Sequence, residues 1–139
     1  MTSVEQLENL VKVGQLKREA PSAAEIEALR RSGEARLVDA ANDTLSLESR
    51  FDLAYNAAHA LALAALRRLG YRSQNRYVVF QVLQHTLGVP AATGRVLAKG
   101  HEARNLAEYE GAAEVDSRLV TDMIDAAGKV LAALRAAPK

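Results

Sequence analysis

The chain has 139 residues, of which 49% are hydrophobic and 25% charged, and a formal net charge of +1, which is typical of a single globular domain and excludes a disordered chain. It has no cysteine, which excludes a disulfide framework, a zinc finger and a thiol nucleophile. The longest uninterrupted apolar run, residues 60–66, is far shorter than the ~20 residues of a membrane-spanning helix, so no membrane partner is expected.

The N-terminal part of the chain predicts two helices. Ser3 followed by Gln6 has the spacing of a capping box and predicts a short first helix. This segment lacks the apolar core of a secretory signal, so a cytoplasmic location is expected. Ser22, with Glu25 three residues later, gives a clearer start for a second helix. The apolar stripe of both helices is thin, which predicts looser packing on the rest of the chain.

A third helix is predicted over about residues 47–69. Ser46 is its expected N-cap, and Gly70 stands where a glycine commonly ends a helix. The segment is apolar or alanine around most of its circumference, which is the pattern of a helix at the centre of a bundle.

Two further helices are predicted in the middle of the chain. Ser73 is the expected cap of a helix over about residues 74–87. Pro90 suits the first turn of the next helix, which spans about residues 91–109 and ends at Gly111.

The last helix is the most regular one. Asp116 is its cap, and apolar side chains recur at helical spacing over residues 119–134. Because connections are short and no strand pattern appears, the predicted fold class is all-α, an antiparallel bundle of four core helices plus one or two N-terminal helices. The chain, residues 1–139, is predicted to be one domain, with N-terminal helices in residues 1–40 and a core bundle in residues 41–135.

Charge is distributed unevenly along the chain. Residues 53–107 hold seven basic side chains, all three histidines and a single acid, Glu102. Such a basic block is expected where phosphates bind. The alternative is that these charges pair with the acidic flanks after folding.

Motifs for metal or nucleotide cofactors are missing. No E-x-x-H or H-E-x-x-H sequence occurs, and the glycine-containing segment at residues 88–95 lacks the G-K-[ST] ending of a phosphate loop. No metal and no cofactor are therefore predicted.

One dense group of polar residues lies in the fifth predicted helix. His101, Arg104 and Glu108 fall on one side, Asn105 flanks that side, and Tyr109 lies one turn beyond Asn105. Arginine and histidine can bind a phosphate there, while asparagine and tyrosine can hydrogen-bond a base or ribose. The alternative is an ordinary Arg104–Glu108 ion pair worth about 0.3–0.5 kcal/mol.

Two stretches carry a family resemblance. Residues 50–61 read RFDLAYNAAHAL and are followed by Gly70 and Tyr71, and residues 104–109 read RNLAEY. In order, spacing and helical context they resemble the HEPN family, small helical bundles often found as dimers. In that family an early core helix of the R…Y…hA type leads to a G-Y/F turn, and a late helix carries Arg, a polar residue and then His. The resemblance covers roughly residues 35–135, and the second stretch is similar to the RN…Y variant of small bacterial members.

The resemblance implies contact with a nucleotide or RNA. Active members are metal-independent ribonucleases in which the Arg stabilises the phosphate and the His helps transfer protons. Carried over, Arg104 matches the motif Arg and Asn105 the polar residue, but Tyr109 stands where His is expected. A phenol titrates near pH ~10 and an imidazole near ~6.5, so weak or no ribonuclease activity is expected. His101 or His59 could substitute if either lies near Arg104.

Three functions follow as hypotheses. The first is a nucleotide- or RNA-binding, or regulatory, HEPN-like homodimer, in which the motifs of two copies face each other. The second is a toxin-like ribonuclease paired with a nucleotidyltransferase-type antitoxin. The third is a structural or interaction bundle without a ligand site. The catalytic candidates are Arg104, Tyr109 and His101, and the binding candidates are Arg104, Asn105, Tyr109, His101, Tyr55, His59, Arg72 and Arg76.

Overall fold

The computed structural model describes residues 2–110 and 115–138, and for residues 107–110 it describes the backbone alone. Over these residues the chain forms seven helices and one small two-stranded sheet, which confirms the predicted all-α class. In chain order the elements are α1 (Ser3–Lys12), β1 (Lys17–Arg18), α2 (Ala23–Ala40), α3 (Leu47–Arg68), β2 (Tyr71–Arg72), α4 (Arg76–Gln81), α5 (Leu83–Thr86), α6 (Ala91–Glu110) and α7 (Ser117–Ala136). None of the described helices is both long and apolar enough to cross a membrane. Gly111, the predicted end of α6, lies outside the described residues.

Helix α3 is the central element, as its sequence predicts. The Ser46 hydroxyl caps its first turn, and Gly70 follows its end with a φ of 91°, a conformation that favours glycine. Its alanine-rich surface is buried on most sides, and the helix contacts α2, α4, α5, α6 and α7. Because alanine side chains are small, several helices can approach α3 closely, and residues of α3 can contact more than one of them.

Helix α2 packs along α3 more extensively than any other helix pair in the described chain. A Cβ atom at Gly33 would lie 2.6 Å from Cγ of Leu61, so only glycine permits this separation. The two helices run antiparallel, because Arg50 bonds the carbonyl of Ala40 at one end of the pair and Glu25 pairs with the end of α3 at the other. The expected looser packing of the N-terminal part is therefore wrong for α2, since close backbone approach replaces a wide apolar stripe.

Helices α6 and α7 form a second close pair. A Cβ atom at Gly100 would lie 2.7 Å from Cε of Met123, which is fully buried. The Asp116 carboxylate caps α7, as predicted, and Arg68 Nη1 donates to the carbonyl of Pro138, 3.0 Å away. This close approach fixes where the middle of α6, and the polar residues that follow Gly100, lie over α3.

The predicted helix over residues 74–87 is two short helices instead of one. Asn75, rather than Ser73, caps α4, and the chain bends at Val82, which ends α4 and precedes α5. Residues 78–80 and 82–83 are all buried. In one straight helix, side chains this close in sequence point in different directions and cannot all face the core. The break between α4 and α5 changes the direction of the chain, so that both short helices bury their apolar residues.

Two smaller features of the N-terminal part also differ from expectation. The capping box of α1 uses Thr2 and Glu5 rather than Ser3 and Gln6. The segment after α1 forms an antiparallel pair with the segment after α3, with Lys17 opposite Arg72. Strands of two residues are too short to show the alternating pattern by which strands are recognised.

Candidate functional site

A buried tyrosine of α3 lies beneath the candidate site. Tyr55 is 1% exposed, and its hydroxyl lies 2.9 Å from Nδ1 of His101 on α6. The edge of its ring meets Phe80 of α4 at a centroid separation of 5.8 Å. Tyr55 was predicted to contact a ligand, but its burial makes it a positioning residue that joins α3, α4 and α6.

Two guanidinium groups lie over this same ring. The Cζ atom of Arg104 is 4.7 Å from the ring centroid of Tyr55, and that of Arg76 is 5.6 Å away. Both distances fall within the ~6 Å range of cation–π contacts. Arg76 Nη1 also donates to Oδ1 of Asn56 at 3.4 Å. The site thus places two positive charges, one from α4 and one from α6, against the same aromatic ring, and a nearby anion would stabilise this arrangement.

His101 is held at both ring nitrogens. Nδ1 meets the Tyr55 hydroxyl, and Nε2 lies 3.3 Å from Nδ2 of Asn105. With the amide of Asn105 donating, a neutral imidazole accepts at Nε2 and carries its proton on Nδ1. The ring of Tyr77 lies 5.9 Å from that of His101. His101, Arg104 and Asn105 therefore form one connected group, as their spacing along α6 predicts.

His59 lies at the inner edge of this group. Its ring meets Phe80 edge-on at 6.0 Å. Burial lowers the pKa of His59 to about 4, and the positive charges of Arg76 and Arg104 contribute in the same direction. His59 is therefore neutral at pH 7 and cannot serve as a proton donor there.

Arg72, also predicted to bind the ligand, belongs to a different part of the molecule. Its Nε donates to Glu19 at 2.6 Å and its Nη2 to Glu25 at 2.5 Å. It follows the C-terminal end of α3, about 20 Å along the helix from Tyr55 at 1.5 Å per residue. Pairing with the acidic flank, the alternative for the basic block, thus applies to Arg72.

Two candidate features cannot be placed. The side chains of Tyr109 and Glu108 lie outside the described residues, although the backbone of α6 continues through both. The predicted role of Tyr109 and the alternative Arg104–Glu108 ion pair therefore stay predictions.

The sequence analysis named Arg76 of α4 as a binding candidate but missed the two aromatic residues of the same helix. Phe80 contacts Tyr55, His59 and His101, and Tyr77 contacts His101. The sequence did contain a pattern that indicates this cluster, because residues 76, 77 and 80 place a cation and two aromatic rings within about one helical turn. Aromatic residues are rare in this chain, which has two phenylalanines and four tyrosines, so two of them in one turn are notable. Between α4 and α6 a groove of about 220 Å³ opens beside these residues.

The described side chains do not form a metal site. Within residues 2–106 and 115–138, no group of three His, Cys, Asp or Glu side chains is placed to share a metal ion. The site is built from cationic, aromatic and amide groups.

No protein-family model matches the chain, and no curated protein or solved structure matches it either. Its function is therefore inferred from the geometry of the site and from the HEPN resemblance.

Proposed function

We propose that this protein is a HEPN-like nucleotide- or RNA-binding protein, with a regulatory role and weak or no ribonuclease activity. One observation carries the proposal: Arg76 and Arg104 converge from two helices on the ring of Tyr55. Like charges brought together in this way favour an anionic ligand. A phosphate of a nucleotide or RNA strand is the anion that the HEPN resemblance implies.

Each residue of the site has a role in this proposal. Arg104 and Arg76 bind the phosphate, because the planar guanidinium matches phosphate oxygens with two parallel donors. Asn105 is exposed beside His101 and can reach a base edge or a ribose hydroxyl. Tyr55 contacts no ligand and holds Arg104 and His101 in place from below.

Weak or absent ribonuclease activity follows from the proton-transfer groups. Tyr109 replaces the motif histidine, and a phenol is a poor base at neutral pH. Because the pKa of His59 is lowered to about 4, its imidazole is neutral at pH 7 and does not donate a proton there. We expect RNA to be bound and released uncleaved.

One observation favours a second candidate, the toxin-like ribonuclease with a nucleotidyltransferase-type antitoxin. His101 and Arg104 both contact Tyr55, so an imidazole lies beside the phosphate-binding group. In this alternative His101 transfers the proton in place of Tyr109. Expression of the protein alone would then arrest growth, and purified protein would cleave RNA in a manner abolished by His101→Ala.

The binding proposal is tested by Arg104→Ala. Loss of a charge-assisted hydrogen bond costs about 1.5–3 kcal/mol, so the affinity for a fluorescent single-stranded RNA is expected to fall about 10- to 100-fold. Arg104→Lys keeps the positive charge but loses the paired donors of the guanidinium, so its RNA affinity should lie between those of Arg104→Ala and the wild type.

The matched control is Arg31→Ala. The Arg31 side chain is 70% exposed on α2, and its Nε lies 3.8 Å from Oε1 of Glu27. Its removal lowers the net charge equally but should leave RNA affinity within twofold. Equal affinities of Arg104→Ala and the wild type would reject the proposal and favour a structural bundle without a ligand site.

The homodimer also stays part of the proposal. In the HEPN family two motifs commonly face each other, so we expect Arg104 of one copy to approach Arg104 of another. Sedimentation of the purified chain as a monomer at micromolar concentration would contradict this expectation.

A further inference from the structure

The groove between α4 and α6 opens directly beside the phosphate-binding residues. Tyr77 lines it, is 37% exposed and lies 5.9 Å from the ring of His101. Tyr77 therefore links the groove to the group that contains His101 and Arg104. A ligand anchored at the arginines can extend into the groove along Tyr77.

The groove has an apolar floor and a polar edge. Phe80 and Ala98 contribute to the floor, and the exposed amides of Gln81 and Gln84 line one side. On the α6 side, Gly94 leaves open space, since a Cβ atom there would meet nothing within 4 Å. Such a groove suits a flat ring with one hydrogen-bonding edge, because an amide side chain offers both donors and an acceptor.

The volume of the groove and the arginines in and near it restrict the class of ligand further. The volume of about 220 Å³ is below the ~300–1,000 Å³ typical of pockets for whole drug-sized molecules, so it fits one ring system. Arg95 is one of the residues that line the groove. Arg104 lies six residues beyond Ala98, the last lining residue of α6, and Arg76 precedes Tyr77, the first lining residue of α4. A cation in the lining of a base-sized groove and two more beyond it match a nucleotide within a strand, which has a phosphate on each side.

We propose that this groove binds one unpaired base of a single-stranded RNA, stacked on Tyr77, with its flanking phosphates at Arg95 and at the Arg76–Arg104 pair. This inference rests on the proposed function and names its substrate class. A base within a duplex is paired and stacked, and its edge cannot enter a groove of this size. Stacking on an aromatic ring accepts every base, so any preference for one base would come from hydrogen bonds to the amides of Gln81 and Gln84.

The test fills the groove and measures the contribution of the base. Gly94→Phe adds a side chain to the groove lining at a position where a Cβ atom meets nothing within 4 Å. Gly128→Phe is the matched control on α7, where a Cβ atom also meets nothing within 4 Å. The probes are a fluorescein-labelled oligoadenylate octamer and an abasic octamer with the same ribose-phosphate backbone. The wild type and Gly128→Phe are expected to bind oligoadenylate about tenfold more tightly than the abasic strand.

Gly94→Phe should bind both strands with the affinity that the wild type shows for the abasic one. Tyr77→Ala is a second variant at an exposed position, and should also lose most of the preference for bases. AMP should compete far less well than the octamer, because it lacks the second phosphate position.

The outcomes separate the two proposals. If the wild type binds both octamers equally, or if Gly94→Phe and Tyr77→Ala keep the tenfold preference, the base groove is rejected and the phosphate site remains. If the wild type binds neither octamer, both the base groove and the proposed function fail. Equal competition by AMP and by the octamer would overturn the binding of a strand.

Discussion

At the scale of single residues, the surroundings of each guanidinium decide what it can do. Arg67 is 1% exposed and directs its donors to Glu25 and to the carbonyls of Glu19, Ala20 and Tyr71. Its hydrogen-bonding capacity is used within the fold, as buried charges require. Arg104, in contrast, is half-buried, and its guanidinium lies over the aromatic ring of Tyr55, where cation–π attraction helps to hold it in position.

The buried histidine gives a prediction about pH. The pKa of His59 is lowered to about 4 in the fold, against 6.5 when unfolded, mainly by burial. Between these values the unfolded chain binds more protons, so stability is full above pH 6.5 and falls as the pH drops toward 4. Between pH 7 and pH 5 the wild type should lose about 2 kcal/mol more of its free energy of unfolding than His59→Leu does.

Urea unfolding at pH 7 and pH 5 measures this difference. The range stays above the titration of Glu19 and Glu25, whose pKa values are lowered from 4.5 by their arginine partners. Parallel stability losses in the wild type and His59→Leu would mean that His59 is solvated in the fold.

At the scale of elements, two glycines set the spacing of the helices that carry the site. Gly33 brings α2 against Leu61, and Gly100 brings α6 against Met123. Helix α6 then lies over α3 with His101 one residue beyond the contact. The break between α4 and α5 has a similar consequence, because it aligns α4 with α6 and leaves the groove between them.

Alanine substitutions at two helical glycines should have opposite effects. Gly33→Ala forces a Cβ atom within 2.6 Å of the fully buried Leu61 side chain, so we expect a loss of about 1–2 kcal/mol despite the gain in helix propensity. Gly128→Ala enters open space in α7 and should gain about 0.5–1 kcal/mol. Thermal and urea unfolding measure both, and stabilisation by Gly33→Ala would disprove the close approach of α2 and α3.

At the scale of the whole molecule, a polar network joins the N-terminal part of the chain to the end of α3. Arg67 is its buried centre, and Arg72 supports the same carboxylates from the surface. Tyr71 adds a bond from its hydroxyl to Glu8 of α1, 2.6 Å away. The part of the basic block that flanks the C-terminal end of α3 is therefore structural, and the ligand site that we propose uses the part on α4 and α6.

Removal of the buried centre should cost more than removal of its exposed neighbour. Arg67→Met removes the buried donors to three carbonyls and to Oε1 of Glu25, and we expect a loss of about 3 kcal/mol. Arg72→Met should lose about 1 kcal/mol, because its side chain is partly solvated and exposed pairs contribute little. Equal losses in urea unfolding would mean that burial does not distinguish the two arginines.

The sequence by itself determined the helices apart from the break between α4 and α5, most of their caps, the central position of α3 and the grouping of His101, Arg104 and Asn105. These depend on neighbours within one or two turns, whose geometry the helix repeat fixes. Only the tertiary structure decided that Arg76 joins this group while Arg72 does not, that Tyr55 is buried beneath it, and that α4 and α6 enclose a groove. Those contacts join residues tens of positions apart, and their register depends on close approaches such as those at Gly33 and Gly100, which no local pattern encodes.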